Sequence, residues 1–172
     1  MSETSLRDVM CAFPQGVVVV TAPDTPNGDG PRGITVSSFM SVSLAPPTVL
    51  VSIMQTSRTH DLIDAGRFVV NVLSDRQGEV SDHFANPDLS SAQQFQGRVS
   101  SHRFGSDTPP ALDGCLGYLL CKVVERVPLA DHTLFIGEVE KADLGEEGTP
   151  LIFCSRRYWG LGSNAYERTS SR

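Results

Sequence analysis

The sequence predicts a mainly β domain built as an antiparallel barrel or sandwich. Three observations carry this: six or seven short segments rich in β-branched and apolar residues, few and short helical segments, and no alternation of strands with long helices. At 172 residues the chain suits one domain, which buries roughly two-thirds of the surface its unfolded form exposes.

Taken in order, residues 4–12 place Leu6, Val9, Met10 and Phe13 at helical spacing behind a Thr4 or Ser5 cap, and Pro14-Gln15-Gly16 ends that helix. Residues 17–22 read Val-Val-Val-Val-Thr-Ala, which fits a strand covered on both faces. Three prolines and two glycines make residues 23–31 a surface loop. Strand character resumes at 34–38, a serine-rich bend leads to Pro46-Pro47, and 48–53 is another buried-type strand. Residues 59–65 read as a short helix stopped by Gly66, 68–73 as a strand and 75–84 as a helix. The polar stretch 86–111 reads as irregular. Two long strands, 117–127 and 133–142, flank Pro128-Leu129-Ala130-Asp131-His132, and 151–154 form a last short strand. Residues 1–162 are thus the domain and 163–172 a flexible tail. There is no internal repeat.

Composition excludes several function classes. Apolar residues make up 40% and charged residues 20% of the chain, which fits neither disorder nor a fibrous repeat. The net charge is −6, the pI is near 5.1 and no basic run occurs, so no nucleic-acid partner is expected. No apolar run approaches the roughly 20 residues of a membrane span. Ser2 to Asp8 is too polar for the core of a signal peptide, so no membrane partner is expected and the location read is cytoplasmic. Cys11, Cys115, Cys121 and Cys154 form no Cys-x-x-Cys pair, and His60, His83, His102 and His132 are scattered; no metal site is expected.

Gly28-Asp29-Gly30-Pro31-Arg32-Gly33 matches the Gly-x-Gly-x-x-Gly spacing of dinucleotide-binding folds. That motif works only as a tight turn into a helix whose N-terminus holds a pyrophosphate. Here Pro23 to Asn27 separates it from the strand, Ile34-Thr35-Val36 follows with strand character, and no acidic residue lies at the required distance. The match is coincidental.

Four segments carry candidate chemistry. Residues 35–43 hold five hydroxyls in nine positions, as either a solvated edge or a wall whose buried hydroxyls seek a polar ring as partner. Small side chains there would also let backbone N–H groups approach a planar ligand. Ser57-Arg58-Thr59 before a helix suits an anion, or is an ordinary cap beside a surface arginine. Asp131-His132 lies in the turn between the long strands, either functional or merely exposed. Arg156-Arg157-Tyr158-Trp159 reads as a cation and aromatic platform for a nucleotide, as a subunit interface, or as a solvated turn.

Together and in this order, these segments resemble the flavin reductase family, small NAD(P)H:flavin oxidoreductases that supply reduced flavin to two-component monooxygenases. The matching stretches are Phe13-Pro14-Gln15-Gly16-Val17 leading into Val-Val-Val-Thr-Ala, Gly33-Ile-Thr-Val-Ser-Ser-Phe39 and Ser41-Val-Ser-Leu-Ala-Pro-Pro47. Phe68-Val-Val-Asn-Val-Leu73, Asp131-His-Thr-Leu-Phe-Ile-Gly-Glu-Val139 and Pro150-Leu-Ile-Phe153 complete the set, which spans roughly residues 5 to 160.

The resemblance implies a Greek-key split β-barrel that forms a homodimer, with FMN or FAD and NADH or NADPH as its cofactors and a separate monooxygenase as its partner. It implies a flavin groove lined by Arg32, Gly33, Ile34, Thr35, Ser37 and Ser38 and by Ser52, Ile53 and Met54 at a strand end, whose backbone N–H groups would stabilise the reduced ring. Ser57, Arg58 and Thr59 would face the flavin phosphate, and Phe84 and Ala85 would close one side. His132 falls on the nicotinamide side as the one catalytic candidate, and Arg156, Arg157 and Tyr158 lie near bound NAD(P)H. Hydride would pass directly between the cofactors, so no acid–base triad is expected. Two departures stand out. Ala130 replaces the glycine usual before Asp131-His132, where positive φ is needed, and the 23–31 loop is long enough to touch an adenosine or a partner. On the same barrel, a flavoprotein with tightly held FMN acting on another acceptor and a non-catalytic flavin or haem binder are the competing readings.

Overall fold

A computed structural model describes residues 5–97 and 99–162; the expected tail at 163–172 lies outside the described residues. The chain runs α1 (Leu6–Cys11), β1 (Gln15–Gly16), β2 (Val18–Asp24), β3 (Pro31–Val36), β4 (Phe39–Leu44), β5 (Pro47–Met54), α2 (His60–Asp64) and β6 (Arg67–Val72). A 3-10 turn (Asp75–Gln77) leads into α3 (Gly78–Ala85), followed by α4 (Ser91–Phe95), β7 (Ser101–Arg103) and β8 (Pro110–Leu112). The long pair β9 (Gly117–Leu129) and β10 (His132–Leu144) comes next, and then β11 (Ile152–Cys154) and β12 (Arg157–Trp159). Helix α1 opens on Ser5, whose Oγ accepts from the Asp8 amide at 3.3 Å while the Asp8 carboxylate accepts from Ser5 N at 3.0 Å.

Seven strands pair antiparallel in the order β3-β2-β6-β9-β10-β5-β4. The two edge strands, β3 and β4, are consecutive in the chain and separated only by Ser37 and Ser38. Three peptide steps of 3.8 Å reach at most about 11 Å, so the first and last strands of the row meet at one end and the sheet must coil. No ladder joins β3 to β4, which leaves the coil split there, as the resemblance implies.

The β2 run shows why the sequence coils this way. Val18, Val20 and Ala22 face one core cluster with Val49, Val51, Ile53, Phe68, Val70 and Phe135, capped by Ile63 of α2. Val17 and Val19 face a second cluster with Val69, Leu73, Phe84, Leu112 and Leu120. Alternation with a period of two thus sends successive valines into the barrel interior and under an outer layer. Asn71 pins that layer: its Nδ2 donates to Val19 O at 2.9 Å and its Oδ1 accepts from Leu112 N at 2.7 Å. Thr21 Oγ1 adds a bond to Pro110 O.

Three expectations change. Residues 39–44 form β4 rather than a bend; its apolar residues Met40, Val42 and Leu44 point outward, against the usual burial signal. The 86–111 stretch contains α4, β7 and β8, each too short to display a period. The turn after strand β11 is followed by β12, which pairs with it through Phe153 and Tyr158.

Ala130 does adopt the left-handed backbone that the resemblance implies at this position, with φ of 52°. A residue with a Cβ loses about 1–2 kcal/mol there relative to glycine, partly offset by glycine's larger unfolded-state entropy. Ala130→Gly is therefore expected to raise the thermal midpoint by about 1–3 °C. A lowered midpoint in differential scanning calorimetry would contradict that account of the turn.

Candidate active site

Edge strands leave one row of backbone N–H and C=O groups without a partner strand. On β3 the gap is filled by a side chain. Gln94 of α4 accepts from Gly33 N through Oε1 at 3.0 Å and donates to Gly33 O through Nε2 at 3.2 Å. Gln94 is itself buried, and its carbonyl lies 3.0 Å from His83 Nε2 of α3. One edge of the Phe84 ring abuts Gly33: a Cβ at residue 33 would sit 2.6 Å from Phe84 Cδ1. Glycine is required at that position for space.

Around this clamp lies a groove of about 390 Å³. Arg32, Gly33 and Ile34 of β3 form one wall, and Met54, Ser57, Arg58 and Thr59, running from the end of β5 into α2, form another. Phe84 and Ala85 close the side, as expected. Nine of the residues singled out in the sequence thus meet in one space. Gln94, Thr56 and the segment 86–88 also line it and were missed, because the 86–111 stretch has no periodic pattern to place it.

Two arginines face the groove, and one carboxylate, Asp88, lines it without pairing with either. Arg32 is 6% exposed; its Nη1 donates to Ser91 Oγ at 3.3 Å and its Nη2 to Leu89 O at 3.1 Å, while its buried Nε has no hydrogen-bond partner. Burial, with the nearby Arg58 charge, pushes the Arg32 pKa below its ordinary value. Among the described residues, no carboxylate lies within ion-pair distance of Arg32 or Arg58. Two unneutralised guanidinium groups facing one space favour an anionic ligand. Helix α2 contributes less than the sequence suggested. It is five residues long and its cap, Thr59, has αR geometry with no side-chain bond, so the cations carry the site rather than a helix end.

The remaining predicted residues fall elsewhere. Thr35, Ser37 and Tyr158 line an adjoining groove of about 200 Å³ that shares Ala85 with the first. The Tyr158 hydroxyl donates to Asp82 Oδ1 at 2.9 Å and lies 2.9 Å from Ser81 Oγ, and burial raises its pKa. The Ile53 side chain is buried in the barrel interior, and the neighbouring residue, Met54, faces outward. Arg156 lies in a third cavity beside Cys11, whose hydrogen bond raises the arginine's pKa, and Arg157 lines none of these spaces. His132 does not line the groove, but it pairs across the sheet with Met54, which does.

The hydroxyl-rich stretch is also corrected. Thr35 Oγ1 donates to Ser81 O at 2.6 Å, Ser37 Oγ to Gln15 Oε1 at 3.1 Å and Ser38 Oγ to Ser52 O at 2.7 Å. Ser52 N donates to Ser38 O at 3.2 Å, and Gly33 N is taken by Gln94. These donors are satisfied within the protein, by α3, β1, β5 and α4, and only their lone pairs remain for a ligand.

Comparison with known proteins places this geometry. A model of the flavin reductase like domain matches residues 10–162. An actinorhodin polyketide dimerase of Streptomyces coelicolor is 37% identical over 93% of this chain and 87% of its own length. The reductase component of 4-hydroxyphenylacetate 3-monooxygenase from Thermus thermophilus is 33% identical over 90% of this chain and 93% of its own. The NADH:FAD oxidoreductase SgcE6 of Streptomyces globisporus, solved with NAD and FAD fragments, superposes with a TM-score of 0.84 at 32% identity, covering 94% of this chain and 93% of that one.

The Gln94 clamp has a measurable weight. Gln94→Ala leaves a buried N–H and C=O of Gly33 unpaired, and each such group costs about 1–3 kcal/mol. The variant is expected to be destabilised by at least about 2 kcal/mol in urea unfolding. A loss within 0.5 kcal/mol, an ordinary surface value, would show that the clamp does not hold the edge.

Proposed function

The chain belongs to the flavin reductase family, and on that premise we propose that it oxidises NADH and passes the hydride to a flavin taken from solution, supplying reduced flavin to a separate monooxygenase. The observation that carries this reading is the unneutralised Arg32–Arg58 wall beside an apolar groove. A flavin fits that donor set: its ring would lie among Ile34, Met54 and Phe84, and its phosphate would meet the two guanidinium groups, giving the orphaned Arg32 Nε an acceptor.

Once both are bound, nicotinamide supplies the hydride and the flavin accepts it. The protein binds, orients and excludes water. Gln94 and Phe84 fix the β3 wall, so the groove does not have to form when the ligand arrives. Tyr158, held by Ser81 and Asp82, closes the neighbouring groove. His132 Nδ1 lies 2.7 Å from Asp131 Oδ1, and that hydrogen bond holds the Asp131 carboxyl below the usual range. A carboxylate only accepts, so Nδ1 carries the hydrogen of that bond; in the neutral ring Nε2 then accepts from a ligand amide such as the nicotinamide carboxamide. No acid or base is needed for direct hydride passage.

NADH rather than NADPH suits the arginines present, because Arg156 lies in a separate cavity and Arg157 lies outside the grooves. Homodimer formation is supported by the outward apolar residues Met40, Val42 and Leu44 of β4 with Val124, Val127 and Leu129 of β9. Among the described residues no helix is long and apolar enough to cross a membrane. All four cysteines are free, which supports a reducing, cytoplasmic setting.

The test is NADH oxidation at 340 nm with and without added FMN, FAD and riboflavin. Oxidation that requires free flavin and saturates in it is the expected result. Oxidation by a protein purified yellow, without added flavin, would favour a tightly held group, and none with any flavin would remove the enzymatic reading. In the same assay His132→Ala is expected to raise the KM for NADH about tenfold, the equivalent of one lost hydrogen bond, with a smaller change in kcat. An unchanged KM would remove the role given to His132.

A further inference from the structure

The four cysteines are of two kinds. Cys115 and Cys121 are buried, and burial pushes their thiols up to about 12, which keeps them protonated and unreactive. Cys11 and Cys154 are half-buried and, though 143 residues apart in the chain, line one cavity of about 250 Å³. Cys11 ends α1 and Cys154 ends β11. Cys154 Sγ lies 3.7 Å from Cys11 O and 3.9 Å from Ala12 O, and Ser155 N donates to Cys11 O at 2.7 Å. Standard bond geometry places each cysteine Cα about 2.4 Å beyond the two ends of that last bond, so the Cα atoms lie at most about 7.5 Å apart. A disulfide spans roughly 4.4–6.8 Å between Cα atoms, so a shift of α1 by less than about 1 Å closes any gap. Helix α1 has little to hold it back. None of its residues is buried, and Ser155 N to Cys11 O is the one backbone hydrogen bond that joins it to another part of the chain among the described residues. The surroundings are cationic: Arg7 and Arg156 line the same cavity, and among the described residues no carboxylate lies within ion-pair distance of either. Half-exposed thiols beside guanidinium groups are the setting in which cysteines react.

We propose that Cys11 and Cys154 are a peroxide-oxidised pair, closing to a disulfide that fastens α1 to the turn between β11 and β12. The source of the oxidant rests on the reductase reading. Reduced flavin that no oxygenase takes gives two electrons and two protons to O2, leaving oxidised flavin and hydrogen peroxide. Cys11, the sulfur beside Arg156, loses its proton and attacks one peroxide oxygen. The O–O bond breaks, an S–O bond forms, and the departing hydroxide takes up the proton as water. Cys154 Sγ then attacks the sulfenic sulfur: the S–S bond forms, the S–O bond breaks, and a second water leaves with the Cys154 proton. Two thiols are thus oxidised by two electrons while one peroxide is reduced to two waters, and a dithiol reverses the change. The cavity adjoins the Tyr158 groove, with Ser37 and Phe153 lining both, so the modification sits beside the site whose product leads to it. Transient disulfides of this kind are the ones that occur in reducing compartments.

The experiment treats the reduced, full-length protein with hydrogen peroxide in one arm. In the other, the protein turns over NADH and FMN in air, with and without catalase. Free thiols are then blocked and non-reducing peptide maps are read by mass spectrometry. The expected result is a Cys11–Cys154 cross-linked peptide within one chain in both arms, lost from the turnover arm when catalase is present and reversed by dithiothreitol. Cys115 and Cys121 are expected to be blocked only after unfolding. In Cys154→Ser, a near-isosteric change at a half-buried position, the disulfide is lost and Cys11 stops at the sulfenic acid, which dimedone labels. No disulfide after added peroxide, a disulfide to Cys115 or Cys121 or between chains, or a Cys11 that dimedone does not label in the variant would overturn the site. A disulfide that forms with added peroxide and not during turnover would overturn flavin as the source of the oxidant. If NADH is not oxidised with any flavin, the reductase reading fails, and the added-peroxide arm still decides the pair.

Discussion

The groove depends on how the edge of β3 is finished. An uncovered edge strand recruits other strands or frays, and here a single buried side-chain amide stands in for the missing neighbour. The two bonds from Gln94 to Gly33 mimic one peptide unit of a partner strand. They also bring α4 against β3, and α3 follows because the Gln94 carbonyl lies within hydrogen-bond distance of His83. Phe84 can then abut a residue without a Cβ, and Arg32, the residue before Gly33, is anchored to Leu89 O and Ser91 with its buried Nε unpartnered. The wall of the site and the stability of the sheet edge are one set of contacts.

The second constraint is local charge. The chain as a whole is acidic at −6, yet surface charge acts weakly beyond a Debye length of about 8 Å at physiological salt. What a bound phosphate meets is the Arg32–Arg58 pair at contact range, where an ion pair at an effective dielectric of 20 is worth about 4 kcal/mol at about 4 Å. Burial of the Arg32 guanidinium, and after it the Arg58 charge nearby, disfavours the cation in the free protein and lowers its pKa. An anionic ligand relieves it. Buried Cys115 and Cys121, with thiols pushed up to about 12 by burial, stay protonated and take no part in this balance.

Much of this was legible in the chain, for reasons that can be named. Val17 to Val20 are branched on every position, so a strand with two covered faces was the only economical reading, and both core clusters bear it out. The turn at Ser57-Arg58-Thr59 is a weak signal alone, the resemblance adds the step from Arg32 to Ile34 and the helix end at Phe84-Ala85, and the fold brings all three into one groove. The period of two sends the Ile53 side chain inward and Met54 outward, so of the two only Met54 lines the groove. Gln94 was invisible: one glutamine on a five-residue helix has no periodic context, and its partner is a backbone 61 residues away. The hydroxyls of 35–38 were seen, but their partners are protein carbonyls and a glutamine oxygen, which no local pattern reveals.

The most direct test of the account is an equilibrium titration of the purified protein with FMN and riboflavin at low and high salt, followed by flavin fluorescence. The two ligands share the ring and differ in the phosphate, so their affinity ratio reads the Arg32–Arg58 wall alone. The account predicts that FMN binds at least tenfold more tightly at low salt, about 1.4 kcal/mol, and that the gap narrows as salt rises. Equal affinities at every salt concentration would contradict it, and the groove would then have to recognise something other than a flavin phosphate.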